Sequence, residues 1–364
     1  MITNIAERQT VNIEDLIGDS LENFNIIDVR SPIEFRSDHI STAVNIPILD
    51  DGERKITGMI YRKAGPSKAK YKALELIAPK IPEIIERIKL FADNGKPIII
   101  YCARGGDRSL VVHTLLDLIQ IKSKRLFSGY KGYRKYILDF FSKSTFPQCI
   151  TLYGPTGCGK TKILKMLAEK GFPILNLEEY AAHKGSSFGG VGETKFATIN
   201  QKIFESHIWY HFYKMGFIPN TIKSTISWGA NYVFVEGESK KIGKVVIPER
   251  LFYSLNTGIK VYLEMPLEER VKYIIDVYKP QDYKKELIIS LERIDRYVGK
   301  VKTKILKDLL CEENYIEFCF IILKEYYDPL YKHSMPEFFD YKIYYKDFVD
   351  AEVKLEEIFY KQFS

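Results

Sequence analysis

The octapeptide Gly154-Pro155-Thr156-Gly157-Cys158-Gly159-Lys160-Thr161 narrows the folds open to this chain more than any other feature. It is a full GxxxxGK[ST], or Walker A, pattern between the apolar run Ile150-Thr151-Leu152-Tyr153 and a helical spacing over 162–170. The pattern works only at a strand-to-helix turn. Gly154, Gly157 and Gly159 expose backbone N–H groups, Lys160 adds a point charge, Thr161 is placed to ligate magnesium, and the helix dipole favours an anion. Strand candidates at 172–177, 231–235 and 259–263 continue the alternation, so a parallel α/β sheet is expected there. A carboxylate should end a distant apolar strand of that sheet. Glu236, after Tyr232-Val233-Phe234-Val235, takes the place, with glutamate where aspartate is usual. Whether the loop holds ATP or another diphosphate is left open by these residues.

A second anion cradle lies upstream. Cys102-Ala103-Arg104-Gly105-Gly106-Asp107-Arg108-Ser109 follows the apolar run Ile98-Ile99-Ile100-Tyr101 and leads into a helix expected over 109–119. A thiol at a helix N-terminus and beside arginine is set up as a nucleophile. Gly105 and Gly106 let successive N–H groups turn inward as an anion nest, with Arg104 and Arg108 positioned to hold an oxyanion. The span from Cys102 to Arg108 is seven residues, wide enough for a tetrahedral phosphate-sized anion. On its own the loop leaves two chemistries open: transfer of a chalcogen from a phosphate-bearing donor, or phosphate-ester hydrolysis.

A polar, turn-forming stretch, Ser142-Lys143-Ser144-Thr145-Phe146-Pro147, separates the two cradles and predicts domains over 1–142 and 143–364. The spacing of Leu74, Ile77, Ile81, Ile84, Ile85 and Ile88 predicts a helix over 68–91, interrupted at Pro82. Beyond Pro266 the chain reads as helical and rich in lysine and tyrosine through Ser364. Five cysteines without a CxxC pair argue against a disulfide framework and a structural zinc site. No apolar run reaches about 18 residues and the first residues lack a leader pattern, so a cytoplasmic protein without a membrane partner is expected. The net charge of +7 permits a polyanionic partner. After 266, Lys272, Lys279, Lys284, Lys285, Arg293, Arg296, Lys300, Lys302 and Lys304 are interleaved with tyrosines and also with acidic residues.

Asp28-Val29-Arg30, Glu34-Phe35, His39-Ile40, Ala43 and Asn45-Ile46-Pro47 resemble the rhodanese-domain signature, with Asp28, Arg30 and His39 bracing the fold. The cysteine loop is one residue longer than the common sulfurtransferase loop and resembles that of rhodanese-fold phosphatases. With Gly58, Tyr61, Gly65, Gly129-Tyr130-Lys131, His183 to Gly189, Glu236 to Gly243 and Tyr327-Asp328-Pro329-Leu330-Tyr331, the whole chain resembles the tRNA 2-selenouridine synthase family. That family joins a rhodanese domain to a P-loop domain; Ala103 departs from the aromatic residue associated with its place. The resemblance implies a two-stage reaction on tRNA carrying wobble 2-thiouridine. Geranyl diphosphate S-alkylates the base, and selenium from selenophosphate then replaces the geranylated sulfur. It implies Cys102 as carrier of a selenenylsulfide, with Arg104, Gly105, Gly106 and Arg108 on selenophosphate. It also implies diphosphate at Gly154, Gly157, Gly159, Lys160 and Thr161, and substrate contacts from Lys184, Ser186, Ser187, Glu238, Ser239 and Lys240. No tightly bound cofactor is implied; magnesium at Thr161 and an enzyme supplying selenophosphate are. The competing reading is a rhodanese-fold phosphatase or sulfurtransferase fused to a nucleotide-binding domain.

Overall fold

The computed structural model describes residues 9–182, 199–217 and 232–362. They form two compact units, one holding the chain up to Lys143 with Glu205–Tyr210, the other the rest from Ser144.

The first unit runs β1 (Thr10–Val11), α1 (Ile13–Gly18), β2 (Asn25–Asp28), α2 (Pro32–Ser37), β3 (Val44–Asn45), α3 (Asp51–Ile77), α4 (Ile81–Ala92), β4 (Ile98–Tyr101), α5 (Asp107–Leu118), β5 (Ser123–Leu126) and α6 (Gly129–Lys143). Its five strands are all parallel in the order β1-β5-β4-β2-β3. The inner strands β2 and β4 are buried at every position, which is why β4 reads as an unbroken apolar run and β2 keeps Ile26 and Ile27 between the buried polar Asn25 and Asp28. Ile27, Ile98 and Ile100 meet Ile88 of α4 and Val112 and Leu116 of α5 in the core. Cys102 leaves the carboxyl end of β4, the edge where parallel sheets carry ligand loops.

Two helices differ from the sequence expectation. The helix before β4 starts at Asp51, not Lys68, because Asp50 accepts from the Glu53 N–H and Glu53 reaches back to cap it. It breaks at Gly65, with φ of +86°, and ends before a 3₁₀ turn at Ala78–Lys80; Pro82 then sits in the first turn of α4, where proline is tolerated. Helix α5 begins two residues earlier than expected, inside the cysteine loop.

The second unit runs β6 (Gln148–Tyr153), α7 (Lys160–Glu169), β7 (Ile174–Leu175), α8 (Leu177–Tyr180), the ends of α9 (Gln201–Lys214, whose Glu205–Tyr210 group with the first unit), β8 (Tyr232–Glu236), the hairpin β9 (Lys241–Ile242) and β10 (Val245–Val246), then α10 (Glu249–Thr257) and β11 (Ile259–Glu264). Helices α11 (Leu267–Tyr278), α12 (Lys284–Arg293), α13 (Asp295–Val298), α14 (Lys300–Cys311), α15 (Tyr315–Ile322) and α16 (Asp328–Ser334) follow, then β12 (Tyr341–Tyr344) and α17 (Phe348–Lys361). A second all-parallel sheet has the order β12-β11-β6-β8-β7. Central β6 delivers the Walker A loop and its neighbour β8 delivers Glu236, so the two arrive side by side.

The strand expected over 172–177 is only two residues long, because Asn176 caps α8 directly behind it. The tail after Pro266 is not helical throughout. Tyr341 to Tyr344 pairs with β11, turning Ile343 into the core while Lys342 and Tyr344 face outward. The helices α11 to α15 share a separate apolar core of Val271, Leu291, Leu306, Leu310, Phe318 and Ile322. Among the described residues no helix is long and apolar enough to cross a membrane.

Candidate functional site

Cys102 is 3% exposed, and its Sγ lies 3.3 Å from the Ser109 hydroxyl on the first turn of α5. That hydroxyl also donates to the Gly106 carbonyl at 3.0 Å, which closes the loop on itself. Gly105 adopts φ of +67°, and a side chain there would press on the Leu126 carbonyl at 3.0 Å. The loop is clamped from behind by α6. The Tyr130 and Lys131 N–H groups donate to the Cys102 and Ala103 carbonyls at 2.9 and 3.0 Å. Gly129, at φ of +55°, has no room for a Cβ against Cys102 and Gly105. The Gly-Tyr-Lys triplet is therefore the seat of the cysteine loop.

The structure brings Cys102, Gly105, Gly106 and Ser109 into one turn. Arg104 is exposed. Arg108 does not close the ring as the spacing suggested, because both its terminal nitrogens donate to Glu34, at 2.6 and 3.2 Å. Glu34 also holds Arg54 at 2.9 Å. Burial opposes its charge, yet Arg108, Arg54 and the Ser31 N–H together hold its carboxyl below the usual range. Sequence reasoning placed Ser109 in the loop without a role at the thiol and did not anticipate Glu34 as a partner of Arg108. Asp28 and Arg30 brace the unit as expected. They are buried together, with Arg30 reaching on to the Asp38 carbonyl at 2.7 Å and stacking on Tyr130 at 4.0 Å. His39 hydrogen-bonds the Phe35 carbonyl and stacks on the Phe35 ring.

In the second loop, Gly157 and Gly159 have φ of +82° and +76°, and side chains there would meet Ile274 and Phe348. Gly154 is equally closed in, by the Leu263 carbonyl and Cys158. The Lys160 ammonium donates to the Gly154 carbonyl at 3.0 Å and lies over the Tyr331 ring at 5.4 Å. Burial works against its charge, but Tyr331, Cys158, Glu178 and Glu238 outweigh it and keep its pKa above the ordinary lysine value. The loop has a backstop that sequence similarity marked without explaining. Buried Arg270 holds Asp328 with both terminal nitrogens, at 2.8 and 2.7 Å, and donates to the Thr156 carbonyl at 3.1 Å. The Tyr327-to-Tyr331 segment thus supplies Asp328 to anchor the loop and Tyr331 to face its lysine.

Behind Lys160 sit three carboxylates, Glu178, Glu236 and Glu238, with oxygens all within 4.8 Å of one another. The Thr161 hydroxyl donates to Glu178 at 3.0 Å. Glu236 also faces that hydroxyl, but the single proton goes to Glu178, and both buried Glu236 oxygens lack a hydrogen bond. Burial first, and then Glu178 and Glu238, push the Glu236 carboxyl well up; burial and Glu178 push Glu238 up to about 8, against the pull of Lys160. An all-oxygen set short of positive charge suits a hard cation such as magnesium. Thr161, Glu178, Glu236 and Glu238 would hold it. Glu178 was not anticipated; the only signal was its position just after a predicted strand.

Of the other expected contacts, Ser239 and Lys240 are exposed and turned to Lys241 and Glu249 respectively, leaving Glu238 alone of that trio in the cluster. Lys184, Ser186 and Ser187 lie outside the described residues.

A family model described as the tRNA 2-selenouridine synthase AAA domain matches residues 147–351, and a rhodanese-like domain model matches 13–139. The chain belongs to the tRNA 2-selenouridine synthase family. It is 30% identical to the tRNA 2-selenouridine synthase of Nitrosomonas europaea over 74% of this chain and 67% of that one. The synthase of Hydrogenovibrio crunogenus is 30% identical over 86% of this chain and 90% of its own length. That of Sulfurovum sp. (strain NBC37-1) is 29% identical over the same shares. The first unit is thus the rhodanese-like part of the family and the second its P-loop part.

Proposed function

We propose that this protein converts 2-thiouridine at the tRNA wobble position to 2-selenouridine in the cytoplasm, in two stages. In the first, the thiouridine sulfur attacks the geranyl carbon of geranyl diphosphate, a C–O bond breaks, and diphosphate leaves. In the second, selenium displaces the alkylated sulfur at C2 and geranylthiolate leaves. The observation that carries this reading is that one chain of this family has two anion cradles of different kind: one closed around a thiol, the other backed by a lysine and three carboxylates.

The Walker A loop suits a departing diphosphate. Its N–H groups and Lys160 are fixed before reaction and meet charge that grows as the C–O bond breaks. Magnesium held by Thr161 and the three glutamates would share that charge.

The cysteine loop suits selenophosphate, supplied by a separate enzyme. Selenium in that donor is already at the selenide level, so its transfer to carbon needs no oxidant. Attack of the Cys102 thiolate on phosphorus forms an S–P bond, breaks the P–Se bond and frees selenide beside the base. Water then returns the cysteine and releases phosphate. A selenenylsulfide on Cys102 would require two electrons to be taken up elsewhere, so the redox-neutral route places phosphate, not selenium, on the cysteine. The Ser109 hydroxyl, 3.3 Å from Sγ, would stabilise the thiolate on turning its proton away from the Gly106 carbonyl.

The test is a nucleoside digest of thiolated tRNA incubated with protein, geranyl diphosphate and selenophosphate. Alkylation needs no protein thiol, so Cys102→Ser is expected to spare geranylation, abolish selenouridine and let S-geranyl-2-thiouridine accumulate. Full selenation by the serine variant would return the loop to anion binding alone.

A further inference from the structure

Helix α3 is only partly accounted for by the core of its own unit, which takes Ile77 and is lined by Ala73 and Leu76 from its last turns. Of its 27 residues only Ala69 and Ile77 are buried. A helix so exposed either holds itself by side-chain pairs or presents itself to something else. It carries seven Lys and Arg against three acidic residues. Arg54, Lys70 and Lys72 are paired, with Glu34, Asp107 and Glu75. Lys55, Arg62, Lys63 and Lys68 are exposed and have no ion-pair partner among the described residues. Tyr61 and Tyr71 stand among them with 60% and 72% of their surface in solvent.

The placement of this arm is specific. Gly65 breaks it, so its two halves take different directions, and each half is tied to the cysteine loop. Arg54 of the first half shares Glu34 with Arg108, and Lys70 of the second half pairs with Asp107 at 3.1 Å. Exposed pairs of this kind add little stability. What they do is set the arm beside the loop that holds Cys102.

We propose that α3 is an RNA-binding arm that leads the substrate to Cys102. Lys55, Arg62, Lys63 and Lys68 take backbone phosphates, and Tyr61 and Tyr71 offer faces on which unpaired bases stack. Charge complementarity favours a polyanion, and the interleaved rings favour a single-stranded loop over a duplex. The inference rests on the reading of tRNA as substrate and adds where on the surface it is met.

The experiment uses the full chain and a tRNA transcript, titrated at several salt concentrations. Three variants are compared with wild type: Arg62→Ala/Lys63→Ala/Lys68→Ala, Tyr61→Ala/Tyr71→Ala, and Lys122→Ala/Lys124→Ala as a charge control away from α3. Alanine is the best helix former, so the exposed substitutions keep the arm helical, which circular dichroism checks. Each lost phosphate contact removes about 0.7–0.9 from the log–log salt slope, so the triple variant should flatten by about 2–3. The tyrosine variant should weaken binding by about tenfold or more with its slope kept, and the control should match wild type. Wild-type binding with an unchanged triple variant and an unchanged tyrosine variant would overturn the arm and leave the substrate reading standing, including where α3 instead captures an acidic protein. No tRNA binding by the wild type at low salt would remove the substrate reading, and the arm with it.

Discussion

Gly129→Ala tests how the cysteine loop is held. At φ of +55° an alanine costs about 1–2 kcal/mol from its own Cβ and carbonyl. The larger part comes from where that Cβ would land. It would lie 2.6 Å from the Gly105 nitrogen and closer still to the Cys102 carbonyl oxygen, both backbone atoms with no rotamer to yield. Relief to 3.0 Å needs the Gly105 nitrogen alone to retreat about 0.4 Å, away from α6. The donations from Tyr130 and Lys131 to the Cys102 and Ala103 carbonyls would stretch or break, each worth about 1 kcal/mol net. The expected total is about 3–4 kcal/mol, a large part of the roughly 5–15 kcal/mol that stabilises a typical domain. Gly95→Ala is the internal standard, since it shares a positive φ of +74° but has nothing within 4 Å of the added carbon. Because the chain has two units, the readout must be local. Pulsed alkylation across a denaturant series, resolved by mass spectrometry at the Cys102 peptide, reports the opening of this loop. Gly129→Ala no costlier than Gly95→Ala would refute the idea that α6 seats the loop.

Lys160→Ala removes the ammonium beside the Gly154 carbonyl and should lower kcat/KM for geranyl diphosphate by about a hundredfold; S-geranylation measured across donor concentrations decides it, and unchanged kinetics would assign the loop to another ligand. His113 should make the rhodanese-like unit acid-sensitive. Burial first, then the Arg125 charge, hold its pKa below the ordinary histidine value, against a smaller pull from Asp117. The folded form therefore keeps the neutral ring, bonded to Ser123 and Gln9 at 2.8 and 2.9 Å, while the unfolded chain takes up a proton below about pH 6.5. Its contribution is present above that pH and is lost as pH falls, at up to about 1.4 kcal/mol per pH unit. Tm measured at pH 7.5 and 5.5 should fall less in His113→Gln than in the wild type, and equal losses would reject the assignment.

What the sequence made legible, and what it did not, divides along a physical line. Both anion loops could be read because each is local: an apolar strand, a run of glycines and a helix start follow one another within about a dozen residues. The partners that finish those loops come from far along the chain. Glu34 meets Arg108 across 74 residues, and Arg270 meets Thr156 across 114, with no spacing rule to announce either pair. Glu178 escaped for the same reason, since only the parallel register of β8 between β6 and β7 sets it beside Glu236. Helix α3 was half missed because its first half offers a capping box but no apolar stripe, with Gly52, Gly58, Gly65 and Pro66 weakening the helical signal, and a search for buried periodicity starts only where burial starts, near Ala69. The same lack of a stripe is informative once the fold is known. A segment that gives the core little beyond its last turns, tied at both halves to the loop carrying the reactive thiol, is held there for what its exposed face can meet.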